Sequence, residues 1–372
     1  MPTFVSVHSC RHGTGKSHLA ANLAIHLARQ GYRVGILDAN QGGVQTLFKL
    51  DELQQDGLWN KCLWSHPCQA ELVADGLPFL AVEMGHIAVL GQGVCLMANG
   101  MKVGEVSQWL RHGEDPDQIS QGFLNLGDRL KLDYLLLEHP PGIHENVLLT
   151  LAFVDVLLLV LKMEQQDYQG TSVLIDLARR LSIPDLWLVP NQVSAEFQCK
   201  QVQQRLESTL GASVAGVLPF TEDLLTFASQ GIFCQQFPNH PWSVEVGAIA
   251  QCLIHPRRGA SSVDTSSASR QPESHPRSAS AKLAGLRMLD LLALPDPQRR
   301  TLNWMLRQGS VTLAQIATQT GQDYEQVNAF LASLVERGFV KITETDGEIR
   351  YVPNLVARQS AIGRDFWTLL DP

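Results

Sequence analysis

Short apolar segments alternate with longer stretches of helical periodicity from the start of the chain. Residues 3–7 read as a strand, residues 16–30 as a helix closed by Gly31, and residues 33–37 as a second strand. Further strands are expected at 87–90, 133–137, 156–161, 186–190 and 214–217, and nearly all of their positions are apolar. That pattern suits strands covered by helices on both faces. The fold class expected from this rhythm is α/β, a doubly wound and mostly parallel sheet.

The rhythm stops at Pro256. Residues 257–280 are rich in Ser, Arg, Pro, Gly and Thr and hold almost no large apolar side chain. Little there offsets the entropy of ordering, so 256–282 is expected to be a flexible linker between a first domain, 1–255, and a second, 283–372. Helical periodicity returns at 283–294, 298–308, 313–320 and 324–337. Strands at 340–345 and 348–352 then flank the turn at Asp346 and Gly347. Three helices followed by a two-stranded wing predict a small α+β winged-helix domain.

Two domains fit a chain of 372 residues, and 45% hydrophobic with 18% charged residues is an ordinary globular composition. A net charge of -8 argues against a protein that coats nucleic acid over its whole surface. The seven cysteines, Cys10, Cys62, Cys68, Cys95, Cys199, Cys234 and Cys252, contain no C-x-x-C pair, so neither a disulfide framework nor a metal-thiolate site is expected. The longest apolar run, 147–161, is interrupted by Asp155 and too short to span a bilayer. No secretory pattern precedes the first motif, and a cytoplasmic location is expected.

Candidate chemistry sits between the first strand and the first helix, in His12-Gly13-Thr14-Gly15-Lys16-Ser17. In that context glycines let backbone N–H groups face phosphate oxygens, Lys16 sets a cation against the β- and γ-phosphates, and the Ser17 hydroxyl can ligate Mg²⁺. The generic pattern has Gly where Cys10 stands. The stretch from Ser9 to Ser17 nevertheless resembles the deviant phosphate loop of the ParA/MinD family, K-G-G-x-G-K-[ST]. Arg11 occupies the place of the signature lysine and His12 that of the first glycine.

The resemblance continues through four further blocks. Asp38-Ala39-Asn40 is similar to the family's D-x-D, and Asp133-Tyr134-Leu135-Leu136-Leu137-Glu138-His139-Pro140-Pro141-Gly142 to its D-Y-x-x-x-D-x-P-P-G. Asn191 stands at the family's adenine-reading Asn, and the stretch from Gly216 to Gly231 is similar to its G-x-[IL]-P…A-x-x-x-G. The resemblance implies ATP or ADP held by Gly13, Thr14, Gly15, Lys16, Ser17, His18 and Asn191. It places Mg²⁺ on Ser17, Asp38 and Glu138, and catalytic roles on Lys16, Asp38, Asn40 and Arg11. It also implies a homodimer that sandwiches two ATP molecules, with Arg11 either reaching the partner's phosphates or standing as an exposed loop cation.

Asn40 can hydrogen-bond a water but cannot take its proton, so hydrolysis is expected to be slow or absent. His12 and His139 lie near the site, although a His beside an apolar strand is commonly structural. The helix 323–337 begins acidic and carries one basic residue at its far end. A protein partner therefore suits the second domain at least as well as DNA, for which basic residues such as Arg299, Arg300 and Arg307 leave weak binding open. The expected function is a nucleotide-dependent dimeric switch that positions or regulates a partner. A nucleotide-sensing transcription regulator and a non-hydrolysing scaffold are the alternatives. Iron–sulfur carriage, known among relatives, is not expected without paired cysteines. Residues 355–370 carry Leu355, Val356, Ile362, Phe366, Trp367 and Leu370 at helix-like spacing, which points to packing against the same or a partner domain.

Overall fold

The computed structural model describes residues 1–38, 43–48, 79–82, 85–90, 94–98, 127, 131–255, 288–345 and 348–354. β1 (Thr3–His8) runs through the glycine loop into α1 (Lys16–Arg29), and Gly31, at φ +92°, turns the chain toward β2 (Val34–Asp38). After α2 (Gly43–Leu47) come β3 (Phe79–Val82), β4 (Gly85–Leu90) and β5 (Val94–Ala98); the apolar pattern anticipates only β4 of these three. The chain continues through β6 (Tyr134–Glu138), α3 (Glu145–Leu151), β7 (Val156–Leu161), α4 (Gln165–Arg180), β8 (Asp185–Pro190) and α5 (Cys199–Leu210). β9 (Ser213–Val214), α6 (Glu222–Phe227), α7 (Phe233–Gln236) and α8 (Pro241–Ile254) complete the first body.

Among the described residues the strands form one sheet of order β3-β4-β5-β2-β6-β1-β7-β8-β9. It is parallel from β5 to β9, and antiparallel pairing of β3 with β4 and of β4 with β5 closes one side. Successive side chains of the central strands enter opposite cores. Phe4, Leu135, Leu137, Leu157 and Leu159 face α3 and α4, while Val5, Val7, Leu136, Leu158 and Val160 face α1 and α8. This two-sided burial is why the strands read as continuous apolar runs.

The strand expected at 214–217 is shorter than its pattern. Beyond Val214 the chain still follows β8, but the Val217 N–H is taken by the Glu245 carboxylate of α8 at 3.1 Å, and Gly216 lies against Ile249 and Glu245. A side-chain acceptor replaces the sheet's carbonyl there.

The C-terminal segment contains α9 (Met288–Leu292), α10 (Asp296–Gln308), α11 (Leu313–Thr320), α12 (Tyr324–Glu336) and the antiparallel pair β10 (Val340–Thr345) and β11 (Glu348–Pro353). Thr312 and Gln315 form a reciprocal capping box on α11, and the Asp323 carboxylate accepts the Gln326 N–H at the start of α12. The expected linker, 256–282, lies outside the described residues, as do Asn40 and the stripe at 355–370.

The segment is seated on the lower edge of the first body, where the parallel strands begin. Asn303 donates its amide to the Leu181 carbonyl at 2.6 Å, and Arg307 donates to the Leu181 and Ser182 carbonyls. Leu291, Leu302, Met305 and Leu306 share one apolar core with Leu151, Phe153, Leu177 and Leu181. Burial pulls the Arg307 guanidinium down to about 10, opposed by Asp155, whose own carboxyl burial pushes up. Two of the basic residues that left DNA binding open, Arg299 and Arg307, are engaged within the chain, while Arg300 is exposed. Arg307 serves this joint, and Arg299 serves the Leu292 and Leu294 carbonyls and Asp296. No helix among the described residues is long and apolar enough to cross a membrane.

Candidate functional site

The loop between β1 and α1 is shaped by two left-handed glycines, Gly13 at φ +72° and Gly15 at φ +95°. At Gly15 space is limiting as well as conformation, because a Cβ there would fall 2.2 Å from Asn191 Nδ2. Asn191, buried where the chain leaves β8, donates that amide to the Thr14 carbonyl at 2.8 Å and accepts the Gln192 N–H on Oδ1 at 2.9 Å. The resemblance puts Asn191 at the adenine edge; in the structure its amide nitrogen braces the loop through the Thr14 carbonyl.

Ser9 Oγ donates to the Arg11 carbonyl at 2.7 Å and accepts from Lys16 Nζ at 2.9 Å, so the buried ammonium is stored against the loop's own hydroxyl. Burial pulls the Lys16 pKa down and Glu138 opposes the shift. Ser17 Oγ donates to Glu138 Oε1 at 2.6 Å. Asp38 and Glu138 are register partners on the paired strands β2 and β6, and both are fully buried. Asp38 Oδ2 accepts the Val44 N–H at 3.0 Å, and Gly43 approaches Ser17 so closely that a Cβ would sit 2.5 Å from its Oγ. The start of α2 thus covers both groups.

Sheet register and the helix start bring Ser17, Asp38 and Glu138 to one place. One hydroxyl with two carboxylates is a hard-oxygen set of the kind that holds Mg²⁺ together with nucleotide phosphates. Among the described residues no three His, Cys, Asp or Glu side chains form a metal cluster of their own.

Of the departures from the family pattern within the loop, Cys10 and Arg11 turn toward α4. A Cβ on Gly170 would meet Cys10 Sγ at 2.0 Å, so the Cys10 side chain fills a notch on α4. Arg11 follows it there, with Nη1 at 2.7 Å from Glu164 Oε2 and 3.4 Å from Asp167 Oδ1. Asp167 is 3% exposed, against 42% for Arg11, and its other oxygen accepts the Lys162 N–H at 2.9 Å. Arg11 is therefore a paired cation on its own chain. His12 is exposed.

His18, half-buried in the first turn of α1, sets Nε2 3.2 Å from Ser229 Oγ. Ser229 and Ala228 are consecutive non-glycine residues at φ +57° and φ +47°, the turn that follows α6. Beneath the loop the buried rings of His8 and His139 meet edge to face at 5.8 Å, and His139 lies 3.3 Å from Thr150 Oγ1. Burial, with Lys16 adding to it, pulls His139 down to about 4, and His8 is lowered strongly by burial and by His139. Both are neutral at pH 7 and packed, which is a structural arrangement. Residues that sequence reasoning missed are Ser9, Glu164, Asp167 and Gly170. An Asp in the first turn of a helix signals capping more readily than a tie to a loop more than 150 residues away.

Comparison with known proteins agrees with this geometry. Residues 1–253 match the family model described as "ParA: NUBPL iron-transfer P-loop NTPase". An iron-sulfur cluster carrier protein of Deinococcus radiodurans is 31% identical over 189 residues, 50% of this chain and 48% of that protein, so the chain spans about half of that relative's length. An iron-sulfur cluster carrier protein of Clostridium perfringens is 24% identical over 61% of this chain and 79% of its own. Among solved structures, a ParA family ATPase from Chlorobium tepidum shares the fold at a TM-score of 0.50 and 14% identity, covering 68% of this chain and 98% of its own. With the family model matched over the whole first body, the chain belongs to the ParA family of P-loop NTPases, in its NUBPL iron-transfer group.

Proposed function

We propose that the chain is an ATP-binding, slowly hydrolysing switch of the ParA/MinD type whose nucleotide state governs pairing with a second copy and engagement of a protein partner in the cytoplasm. The observation that supports it most is the convergence of Lys16, Ser17, Asp38 and Glu138 under a loop turned by Gly13 and Gly15. In this reading the N–H groups of residues 13–18 take the phosphate oxygens, and Lys16 exchanges Ser9 Oγ for the β- and γ-phosphates. Ser17, Asp38 and Glu138 would hold Mg²⁺. The ion, when bound, neutralises charge on the β- and γ-phosphates.

Asn40 aligns the attacking water without accepting its proton, and this keeps turnover slow. Arg11 reaches a second copy's phosphates only after leaving Glu164 and Asp167. The test is titration with a fluorescent ATP analogue in millimolar Mg²⁺, alongside particle size and phosphate release with and without ATP. Binding that Lys16→Ala abolishes is expected; a wild-type chain that binds no analogue refutes the reading.

The C-terminal helices and hairpin support a winged-helix module that docks protein. α12 opens with Asp323 and Glu325, and its single basic flank, Arg337, lies 4.2 Å over the Phe339 ring. Its surface repels phosphate, and a module that shifts DNA at low salt would reverse this assignment.

The names of the family and relatives favour iron–sulfur cluster transfer as the specific role of the switch. Among the described cysteines Cys199 is exposed, Cys10 and Cys252 are half-buried, and Cys234 is buried with its thiol pushed up to about 11. A four-iron cluster takes four thiolates, and Cys199 on each of two copies supplies two. Anaerobic reconstitution with ferrous iron and sulfide separates the roles. A stoichiometric cluster lost in Cys199→Ser establishes carriage, whereas nucleotide-dependent pairing without bound iron establishes a switch that no longer carries it.

A further inference from the structure

The C-terminal module holds a groove of about 710 Å³ between α10, the end of α11 and α12. Trp304 and Phe330 line it and are only partly covered. Gln319, Gln322 and Gln326 surround them with amides, and Arg300 contributes an exposed cation. The two rings pack on one side against the core that contains Leu302, Leu306, Ile316, Val327 and Leu331 and remain partly exposed on the other. An aromatic groove with an amide rim is a surface prepared for an apolar segment.

We propose that the occupant is the chain's own segment 355–372, which lies outside the described residues. The place where the chain leaves the module supports this. Asn354 is pinned just past the end of α12, its N–H on the Phe339 carbonyl at 2.8 Å and its amide on the Gly338 carbonyl at 2.8 Å. From Gly338 back to Phe330 is about 12 Å at the helical rise, and residues 355–361 alone span up to roughly 23 Å when extended.

The pattern of the segment supplies the anchors. Ile362, Phe366, Trp367 and Leu370 fall on one helical stripe, the spacing with which an amphipathic helix fills a groove. Asp365 and Asp371 accompany the stripe and complement Arg300 on the rim. A short tether also puts the segment at roughly millimolar effective concentration, so modest intrinsic affinity suffices. Since Gln322 precedes α12 and Gln326 lies in its exposed first turn, a seated segment covers part of the face the module offers to partners, and a partner on that face displaces it.

Photo-cross-linking of the full chain tests this. Benzoylphenylalanine replaces Gln326, and isotopically light and heavy protein are mixed before irradiation and peptide mapping. Cross-links to residues 362–370 within same-label chains are expected, and the Phe366→Ala, Trp367→Ala double variant should lose them while keeping its thermal unfolding midpoint. Cross-links confined to other regions, mixed light–heavy pairs showing a second copy's segment, or a yield indifferent to the double variant each overturn the proposal. Amide exchange gives an independent reading. Residues 319–330 should exchange several-fold faster in the double variant, and equal rates overturn the proposal too.

Discussion

The contact between Gly15 and Asn191 allows a test in which two substitutions must not add. Ala at position 15 takes on a left-handed backbone, at a cost of about 1–2 kcal/mol, and its Cβ falls 2.2 Å from Asn191 Nδ2. The Asn191 amide must then move off the Thr14 carbonyl, to which it donates at 2.8 Å, leaving buried polar groups unpaired at about 1–3 kcal/mol. Gly15→Ala alone should therefore cost about 2–5 kcal/mol, and Asn191→Ala alone about 1–3 kcal/mol. In the double variant the obstacle has gone and only the backbone strain adds to the lost hydrogen bond. The double should be less destabilised than the sum of the singles by about 1–3 kcal/mol. Urea unfolding of the four proteins, with ATP-analogue affinity measured on each, reads out the coupling. Singles that add to within about 0.5 kcal/mol refute a loop that rests on Asn191.

His139 is lowered from 6.5 to about 4 because the fold buries it neutral. The unfolded chain takes up that proton first, so its contribution is full above about 6.5 and is lost as pH falls toward about 4, roughly 3 kcal/mol in all. Urea midpoints at pH 7.5 and pH 5 should converge more in His139→Asn than in wild type, and an unchanged pH slope contradicts the reading. Arg307→Leu removes the donor from the Leu181 and Ser182 carbonyls and the cation beside Asp155, and should cost about 3 kcal/mol. Differential scanning should then show the C-terminal module melting before the first body; one unaltered transition shows that the joint is not held this way. Glu138→Gln keeps an acceptor for Ser17 but loses a charge behind it, so ATP hydrolysis should fall at least about tenfold with analogue affinity changed much less. Equal losses in both measurements argue against a role in aligning the reaction.

The parts of the site legible in the sequence are those built from neighbours along the chain. The strand–loop–helix of residues 3–29 declares itself because apolar period, glycines and Lys16 are contiguous, and Asp38 and Glu138 sit at the ends of recognisable strands. What the pattern could not show depends on contacts between distant segments. Nothing near Arg11 announces Glu164 and Asp167, and nothing near Asn191 announces the Thr14 carbonyl. Arg299 and Arg307 look like surface charge in a one-dimensional reading. They are instead donors to carbonyls at helix ends, a use that needs the fold to be seen. The spacing of the cysteines points away from cluster chemistry, whereas family membership points toward it.

Cys10 and Gly170 are consequential because each defines the other's room. A sulfur occupies the space that a β-carbon at position 170 would claim, and a glycine inside a helix costs roughly 1 kcal/mol relative to alanine. Reverting the loop to glycine would open a void, and filling the helix would evict the thiol. The pair should therefore travel together through descent, and any homologue bearing one without the other must seat this strand-to-helix turn at a different depth.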